Sequence, residues 1–169
     1  MNRRHLLSST FLALGALALP AIFVNRSGVM SAANAAEGKF EIEKTVEEWH
    51  KILTDTQFAV LREEVTEQPF TSALLEEHRE GNFRCAGCDL PAYGSYSKFD
   101  SGTGWPSFYE PLKDAIATKE DDTFFSVRTE IHCRRCGGHF GHVFDDGPQP
   151  TGMRHCLNGV ALNFMPKVA

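Results

Sequence analysis

Residues 133–144 read CRRCGGHFGHVF, and residues 85–88 read CAGC. Each stretch contains a Cys-x-x-Cys pair, a spacing that lets two thiolates of one tight turn point at a single ion. Two such pairs can complete a tetrahedral site, which predicts a structural Zn²⁺ with no open position for a substrate. The interval between the pairs is too long for a zinc finger, so the ion would hold two distant hairpins together. The predicted ligands are Cys85, Cys88, Cys133 and Cys136.

Disulfide bonds are the alternative interpretation of these cysteines, because an exported protein can form them. A bridge within each pair would close a very small, strained loop and cross-link little of the chain. A bridge between the pairs would leave two thiols unused. The spacing favours zinc, with disulfides as the open alternative.

Strand and turn patterns surround the cysteine pairs. Residues 125–131 alternate with polar neighbours, which predicts a half-buried strand, and residues 160–164 alternate likewise. Residues 100–102 (DSG) and 145–148 (DDGP) are turn signals. The carboxyl-terminal half is therefore predicted to be rich in antiparallel β-strands.

Three short helices are predicted before the strands. Thr45 with Glu48 forms a capping box, and Thr54 with Gln57 repeats the same start signal. A third helix is predicted over 72–78. The apolar positions expected to face the core are Val46, Trp49, Leu53, Phe58, Leu61 and Val65. Helices followed by strands indicate an α+β fold that is mainly β.

Composition and charge exclude several classes of protein. The 169 residues are 42% hydrophobic and 23% charged, which is typical of one globular domain. The formal net charge of −5 argues against a nucleic-acid partner held by a basic surface. No run of 18 uncharged apolar residues exists, so no stable membrane insertion of the mature chain is expected.

Residues 1–35 have the features of an export signal. Arg3 and Arg4 precede an apolar run over 11–24, and the ANA at 33–35 offers a small-x-small cleavage site. The arginine pair is similar to a twin-arginine signal, with an ordinary secretory signal or an uncleaved anchor as the alternatives. Removing 35 of the 169 residues leaves a domain of 134, residues 36–169. This removal takes three arginines and no acid, which changes the net charge from −5 to −8. We expect an exported, periplasmic protein.

The fifth cysteine, Cys156, is the candidate nucleophile. It follows His139, His142, Arg154 and His155, and cationic neighbours lower the pKa of a thiol while histidine can transfer protons. Two alternatives remain. Cys156 could be a small buried apolar residue, or the two histidines of the HFGH motif could join it around a second metal ion, as in a hydrolase.

Residues 99–108, FDSGTGWPSF, carry the remaining local signal. Trp105 precedes a proline on stiff backbone and would make a good wall for a small apolar group. A core tryptophan at the end of a strand is the alternative. A zinc-stabilised module that binds a ligand at Trp105 without catalysis is a rival function, although such a module would have no need of the Cys156 thiol.

Taken together, these motifs resemble the methionine-R-sulfoxide reductase B family, the peptide-methionine (R)-S-oxide reductases. The matching stretches are residues 49–53, 84–88, 98–108, 133–144, 146–148, 151–152 and 154–162. The resemblance implies two antiparallel β-sheets with short N-terminal helices, clipped by a Cys₄ zinc site. It also implies an enzyme of protein repair under oxidative stress, which reduces the R epimer of methionine sulfoxide in oxidised proteins.

The resemblance also implies roles for individual residues. The Cys156 thiolate would attack the sulfoxide sulfur and become a sulfenic acid, with His139 as the acid that protonates the oxygen. Asn158 and His142 would position the substrate and its oxygen, and Trp105 would hold the methyl group. Arg154, paired with Asp146, would support the thiolate.

Four positions depart from the family pattern. Thr103 stands where many members carry the resolving cysteine, so an external thiol or a thioredoxin-like protein is expected to reduce the sulfenic acid. The other three departures, Phe140, His155 and Gly159, concern substrate preference more than the type of reaction.

Overall fold

The computed structural model describes residues 39–122 and 126–168. Its helices are α1 (Val46–His50) and α2 (Asp55–Glu63). Its strands are β1 (Gly81–Cys85), β2 (Pro91–Gly94), β3 (Lys98–Phe99), β4 (Ser107–Phe108), β5 (Ile116–Asp121), β6 (Arg128–Cys133), β7 (His139–Phe144), β8 (Arg154–Leu157) and β9 (Leu162–Pro166). The predicted export segment lies outside the described residues, as does Phe125 of the first predicted strand.

The strands form two antiparallel sheets. The smaller has the order β2-β1-β9, and the larger has the order β3-β4-β8-β7-β6-β5. Strand β8, which carries Cys156, lies in the interior of the larger sheet between β4 and β7. The predicted class, α+β and mainly β with two antiparallel sheets and short N-terminal helices, is confirmed. Among the described residues, no helix is both long and apolar enough to cross a membrane.

Both predicted capping boxes are present. The Thr45 hydroxyl accepts from the Glu48 backbone N–H at 3.2 Å, and the Glu48 carboxylate accepts from the Thr45 N–H at 2.8 Å. Thr54 and Gln57 make the equivalent bonds at 3.2 and 3.1 Å. These bonds satisfy backbone donors that a helix leaves free at its start, so both helices begin where the sequence predicts.

Three details of the helix prediction were wrong. Helix α2 ends at Glu63, and Glu64 adopts the left-handed conformation with φ of 59°, so Val65 is exposed instead of facing the core. Val46, in the first turn of α1, is also exposed. Residues 72–78 form turns instead of a third helix, with a backbone bond from the Leu75 N–H to the Ser72 carbonyl at 3.2 Å.

Strand β6 differs from the half-buried strand that the alternation predicts. It starts at Arg128, and Val127 is exposed. Glu130 and Ile131 are both fully buried, because both faces of the larger sheet are covered at this point. The pairing register of β6 with β7 also shifts by one residue between Ile131 and His132. Such an irregularity interrupts the strict alternation of side chains between the two faces of the sheet.

The core lies between the two sheets and beneath the helices. Phe83 of β1 and Phe108 of β4 pack edge to face, with ring centroids 4.9 Å apart, and the Tyr93 ring of β2 packs at a tilt against Phe108, with centroids 4.7 Å apart. Helix α2 adds Phe58 and Leu61. Strand β4, which pairs with β8, is therefore packed against the smaller sheet through Phe108.

Candidate functional site

The four paired cysteines meet at one point. Cys85 ends β1 and Cys133 ends β6, while Cys88 and Cys136 lie in the turns that follow. All four sulfurs lie within 4.8 Å of one another; Cys85 and Cys136 are 3.7 Å apart, and Cys88 and Cys133 are 3.5 Å apart. A tetrahedron with zinc–sulfur bonds of about 2.3 Å has sulfur–sulfur edges of about 3.8 Å. The donor set therefore fits a metal ion such as zinc.

The same geometry disfavours disulfides, whose sulfurs would lie about 2.05 Å apart. All five cysteines are free thiols. The second turn bends at Gly137, where φ is 68° and an added Cβ would collide with the Phe40 ring. Arg62 of α2 donates to the Cys136 carbonyl at 2.9 Å and lies over the Trp49 ring. The helices thus pack directly against this end of the molecule.

Cys156 lies in the wall of a cavity of about 130 Å³. The lining residues are Thr66, Trp105, Arg128, Gly141, His142, Phe144, Cys156, Leu157 and Asn158. None of the four clustered cysteines is among them. Close approach of β7 to β8 requires a glycine at 141, because a Cβ there would lie 2.0 Å from the Cys156 carbonyl oxygen. The cavity therefore brings Cys156 together with Trp105, His142 and Asn158.

Burial raises the pKa of the Cys156 thiol above its ordinary value, and the neighbouring Thr103 hydroxyl and Arg154 guanidinium offset only part of this effect. Thr103 Oγ1 is 3.8 Å from the Cys156 sulfur. Arg154 is shared with Asp146 through two hydrogen bonds of 2.8 and 2.9 Å and stacks on the Phe144 ring at 4.4 Å. The expected lowering of the thiol pKa by cationic neighbours is therefore outweighed by desolvation.

The two histidines of the HFGH motif have different surroundings. His142 lines the cavity, and its Nε2 lies 2.7 Å from Oδ2 of Asp121, which also bonds Arg128 at 2.6 Å. Burial lowers the pKa of His142, and Asp121 opposes that shift. His139 is not among the lining residues. Its Nδ1 bonds the buried Glu130 at 2.9 Å, its Nε2 has no partner among the described residues, and burial lowers its pKa to about 4.

A second metal ion at His139, His142 and Cys156 has no support in the described residues. There, the four-cysteine cluster is the only group of three or more His, Cys, Asp or Glu side chains with ligand atoms close enough for one ion. Each histidine instead directs a ring nitrogen at its own carboxylate.

Trp105 is held as part of the cavity wall. It is half-buried, and its indole N–H donates to the Glu67 carbonyl at 3.1 Å. The Glu67 N–H donates to Oδ1 of Asn158 at 2.9 Å, and Nδ2 of Asn158 donates to the Phe140 carbonyl at 3.0 Å. The Asn158 amide therefore ties Trp105's support to strand β7, and these two bonds leave one of its two Nδ2 hydrogens unused.

Four further residues organise this site, and no sequence pattern indicated them. Glu67 accepts from the backbone N–H groups of Gly159 and Val160 at 2.6 and 3.0 Å, and Asp121 and Glu130 orient the histidines. The hydroxyl of buried Tyr93 is 3.0 Å from Nδ1 of His155, which explains a histidine at that position. No local pattern marks these residues, since every partner is distant in sequence.

Comparison with known proteins gave consistent matches. The model of the SelR domain matches residues 53–166. A protein of Methanosarcina barkeri is 50% identical over 124 residues, which is 73% of this chain and 87% of the relative. A Leptospira interrogans protein is 47% identical over 126 residues, which is 74% of this chain and 96% of the relative. A Pseudomonas putida protein is 48% identical over 128 residues, which is 75% of this chain and 96% of the relative. All three carry the name peptide methionine sulfoxide reductase MsrB.

Proposed function

Because this chain belongs to the methionine-R-sulfoxide reductase B family and is a peptide methionine sulfoxide reductase, we propose that it reduces the R epimer in oxidised proteins at Cys156. The observation that carries the assignment is the position of Cys156. It is the one cysteine outside the four-sulfur cluster, and it shares a cavity with Trp105 and His142.

The proposed chemistry transfers one oxygen atom. The Cys156 sulfur attacks the sulfoxide sulfur, the sulfur–oxygen bond of the substrate breaks, and the oxygen ends on Cys156 as a sulfenic acid while methionine leaves. The methionine sulfur is reduced and the Cys156 sulfur is oxidised by the same two electrons. Two thiols of an external reductant then return Cys156 to the thiol, with one disulfide and one water as products.

The protonation states in the cavity suit this step. A raised pKa keeps Cys156 as a thiol, and a lowered pKa keeps His142 as a neutral imidazole. The thiol therefore carries the proton that the departing oxygen needs, and no external acid is required. We assign the transfer of this proton from the thiol to the sulfoxide oxygen to His142, since His142 lines the cavity and one of its ring nitrogens is held by Asp121. In this proposal the acid role expected for His139 passes to His142, because His139 is bonded to Glu130 and is not among the residues that line the cavity.

Trp105 supplies the apolar surface on which the substrate methyl group would lie. A chiral sulfoxide carries an oxygen, a methyl group and a chain on one sulfur, so fixing the methyl against Trp105 and the oxygen near His142 admits only one epimer. Asn158 lines the cavity, where its second Nδ2 hydrogen can bond the substrate oxygen, and it also holds the Glu67 segment that supports Trp105.

An external thiol is the proposed reductant. Thr103 Oγ1 lies 3.8 Å from the Cys156 sulfur, and no second cysteine lines the cavity. A thioredoxin-like protein or a small thiol would have to enter the same cavity. Mass spectrometry of the substrate-oxidised protein without reductant should find the sulfenic acid, and an intramolecular disulfide would contradict this assignment.

Zinc is the ion proposed for Cys85, Cys88, Cys133 and Cys136, since four thiolates at tetrahedral spacing are its preferred structural ligands. With all four positions filled, the ion would supply only structural cross-linking between the two hairpins.

The test is the reduction of R- and S-methionine sulfoxide peptides by residues 36–169 with dithiothreitol, beside Cys156→Ser. We expect turnover of the R peptide alone and its loss in the variant. Turnover of S, or equal activity of the variant, would refute the assignment. A folded, metal-loaded protein without turnover would favour a ligand-binding module.

Export through the twin-arginine route is a separate proposal that rests on Arg3, Arg4 and the cleavage motif at 33–35. That route moves folded proteins, so zinc could load onto reduced thiols before the protein reaches the periplasm. Replacing residues 1–35 by a Sec signal is expected to lower the zinc content of the exported protein, and equal zinc content would contradict the idea.

A further inference from the structure

A chain of three hydroxyl groups ends at the Cys156 sulfur. Ser107 Oγ is 2.7 Å from Ser101 Oγ, Ser101 Oγ is 2.8 Å from Thr103 Oγ1, and Thr103 Oγ1 is 3.8 Å from the sulfur. At its other end, Ser107 donates to the Trp105 carbonyl at 3.1 Å. Ser107 is fully buried and pairs directly opposite Cys156 between β4 and β8. The series of hydrogen-bonded hydroxyls therefore begins and ends at paired positions of the sheet.

Counting hydrogens gives this chain a direction. Each hydroxyl has one hydrogen to donate, and the hydrogen of Ser107 is directed to the Trp105 carbonyl. Ser107 must then accept from Ser101, Ser101 must accept from Thr103, and the Thr103 oxygen is left as an acceptor. With Cys156 protonated, the S–H can donate to Thr103, and every hydrogen in the chain points away from the sulfur.

Loss of the thiol proton reverses the end of the chain. A thiolate can only accept, so Thr103 must rotate its hydroxyl hydrogen towards the sulfur. Ser101 can then donate to Thr103 and Ser107 to Ser101, in which case Ser107 gives up its bond to the Trp105 carbonyl. The turn that presents Thr103 is fixed independently, because the Gly102 N–H donates to the Asp100 carboxylate at 2.8 Å and Gly102 has φ of 70°.

We propose that Thr103 is the reversible hydrogen-bond partner of Cys156, accepting from the thiol and donating to the thiolate, with Ser101 and Ser107 holding it in place. Its contribution to turnover rests on the function proposed above. Arg154, the other polar group near the sulfur, is divided between Cys156 and two bonds to Asp146. A guanidinium can only donate, so Thr103 is the neighbour that can both accept from the thiol and donate to the thiolate.

The test is the rate of Cys156 alkylation by iodoacetamide against pH, read by mass spectrometry of the Cys156 peptide. Thr103→Val keeps the branched shape and removes the hydroxyl, and Thr103→Ser keeps the hydroxyl. Thr118→Val, at an exposed position on β5, is the matched control. We expect the inflection to rise by about one pKa unit in Thr103→Val and to remain near wild type in the other two.

The whole curve separates this role from a merely steric one. One pKa unit leaves tenfold less thiolate below the inflection, but a more basic thiolate is intrinsically more reactive, with a Brønsted coefficient of about 0.4–0.5. The variant should therefore react about threefold more slowly at neutral pH and about threefold faster on the high-pH plateau. A steric change would move both ends in one direction and would overturn the proposal.

Folding and function are controlled separately. Near-ultraviolet circular dichroism and zinc content check that Thr103→Val is folded, and Thr103→Ala gives a second variant with the same expected shift. An unchanged inflection in both overturns the proposal. Alkylation needs no sulfoxide, so a shifted inflection in a protein without reductase activity would refute the proposed function and leave the hydrogen-bond partner intact.

Discussion

Glu67→Gln is the most informative single substitution outside the cavity. The Glu67 carboxylate accepts from the Gly159 N–H at 2.6 Å and the Val160 N–H at 3.0 Å, and its own carbonyl accepts from the Trp105 indole. Glutamine retains one acceptor oxygen and places an NH₂ group opposite the second backbone donor. One charge-assisted bond is then lost, which is worth about 1.5–3 kcal/mol, and half-burial places the effect at about 2 kcal/mol.

Urea denaturation and thermal unfolding measure this effect. A loss of about 2 kcal/mol corresponds to a fall in Tm of about 5–10 °C for a domain of this size. Because Trp105 loses the support of the Glu67 segment, KM for a sulfoxide peptide should also rise several-fold, while the alkylation profile of Cys156 stays as in wild type. Glu43→Gln, at an exposed position, is the matched control and should change neither quantity.

A free energy of unfolding of Glu67→Gln within 0.5 kcal/mol of wild type (about the range of ordinary surface substitutions) would contradict the expected loss of a charge-assisted bond. An unchanged KM with reduced stability would show that the carboxylate stabilises the chain near Gly159 without positioning Trp105.

Three further predictions follow from the site and its surroundings. Plotted against pH, the reductase rate should form a broad plateau that falls at low pH, below the lowered pKa of His142, and at high pH, above the raised pKa of Cys156. If the fall at low pH survives in His142→Asn, the proposed role of His142 is contradicted. Chelation under native conditions should remove one zinc ion per chain and lower Tm, and retention of the wild-type Tm by metal-free protein would show that the four sulfurs do not need the ion. Burial lowers the pKa of His155 to about 4, so between pH 6.5 and about 4 the unfolded chain protonates this histidine and the folded chain does not. The stability that His155 contributes is therefore complete above pH 6.5 and is lost progressively as pH falls to about 4. Measured by urea unfolding, the drop in stability between pH 7 and pH 5 should be about 2 kcal/mol smaller in His155→Phe than in wild type. At neutral pH the same substitution should lower the free energy of unfolding by about 1–3 kcal/mol, because Tyr93 loses its hydrogen-bond partner.

Features that depend on neighbours in sequence were predictable. The capping boxes at Thr45 and Thr54 join residues three positions apart, so the sequence alone specifies both donor and acceptor. The third helix, over 72–78, lacked this support. Its residues are held instead by contacts with other parts of the chain, such as the bond from Lys98 to the Leu75 carbonyl at 2.8 Å.

Positions on a face of the larger sheet were harder to predict. Alternation along a strand assumes that one face is wet, and β6 has both faces covered. Glu130 is consequently buried between Lys119, at 2.7 Å, and His139, at 2.9 Å. A carboxylate in a polar position of the pattern gives no sign that it is enclosed with a histidine.

By itself, the sequence determined the identity of the candidate reactive groups: a Cys-x-x-Cys spacing brings two sulfurs into one turn wherever it occurs, and a fifth cysteine is left over as the candidate nucleophile. Only the tertiary structure decided which groups surround that cysteine. It placed His142 in the lining of the cavity and bonded His139 to Glu130, paired Glu67 with Asn158 across 91 positions, and brought Thr103 to Cys156 across 53. The physical reason is that a thiol's reactivity depends on desolvation and on hydrogen bonds from distant strands, which exist only once the sheets have packed.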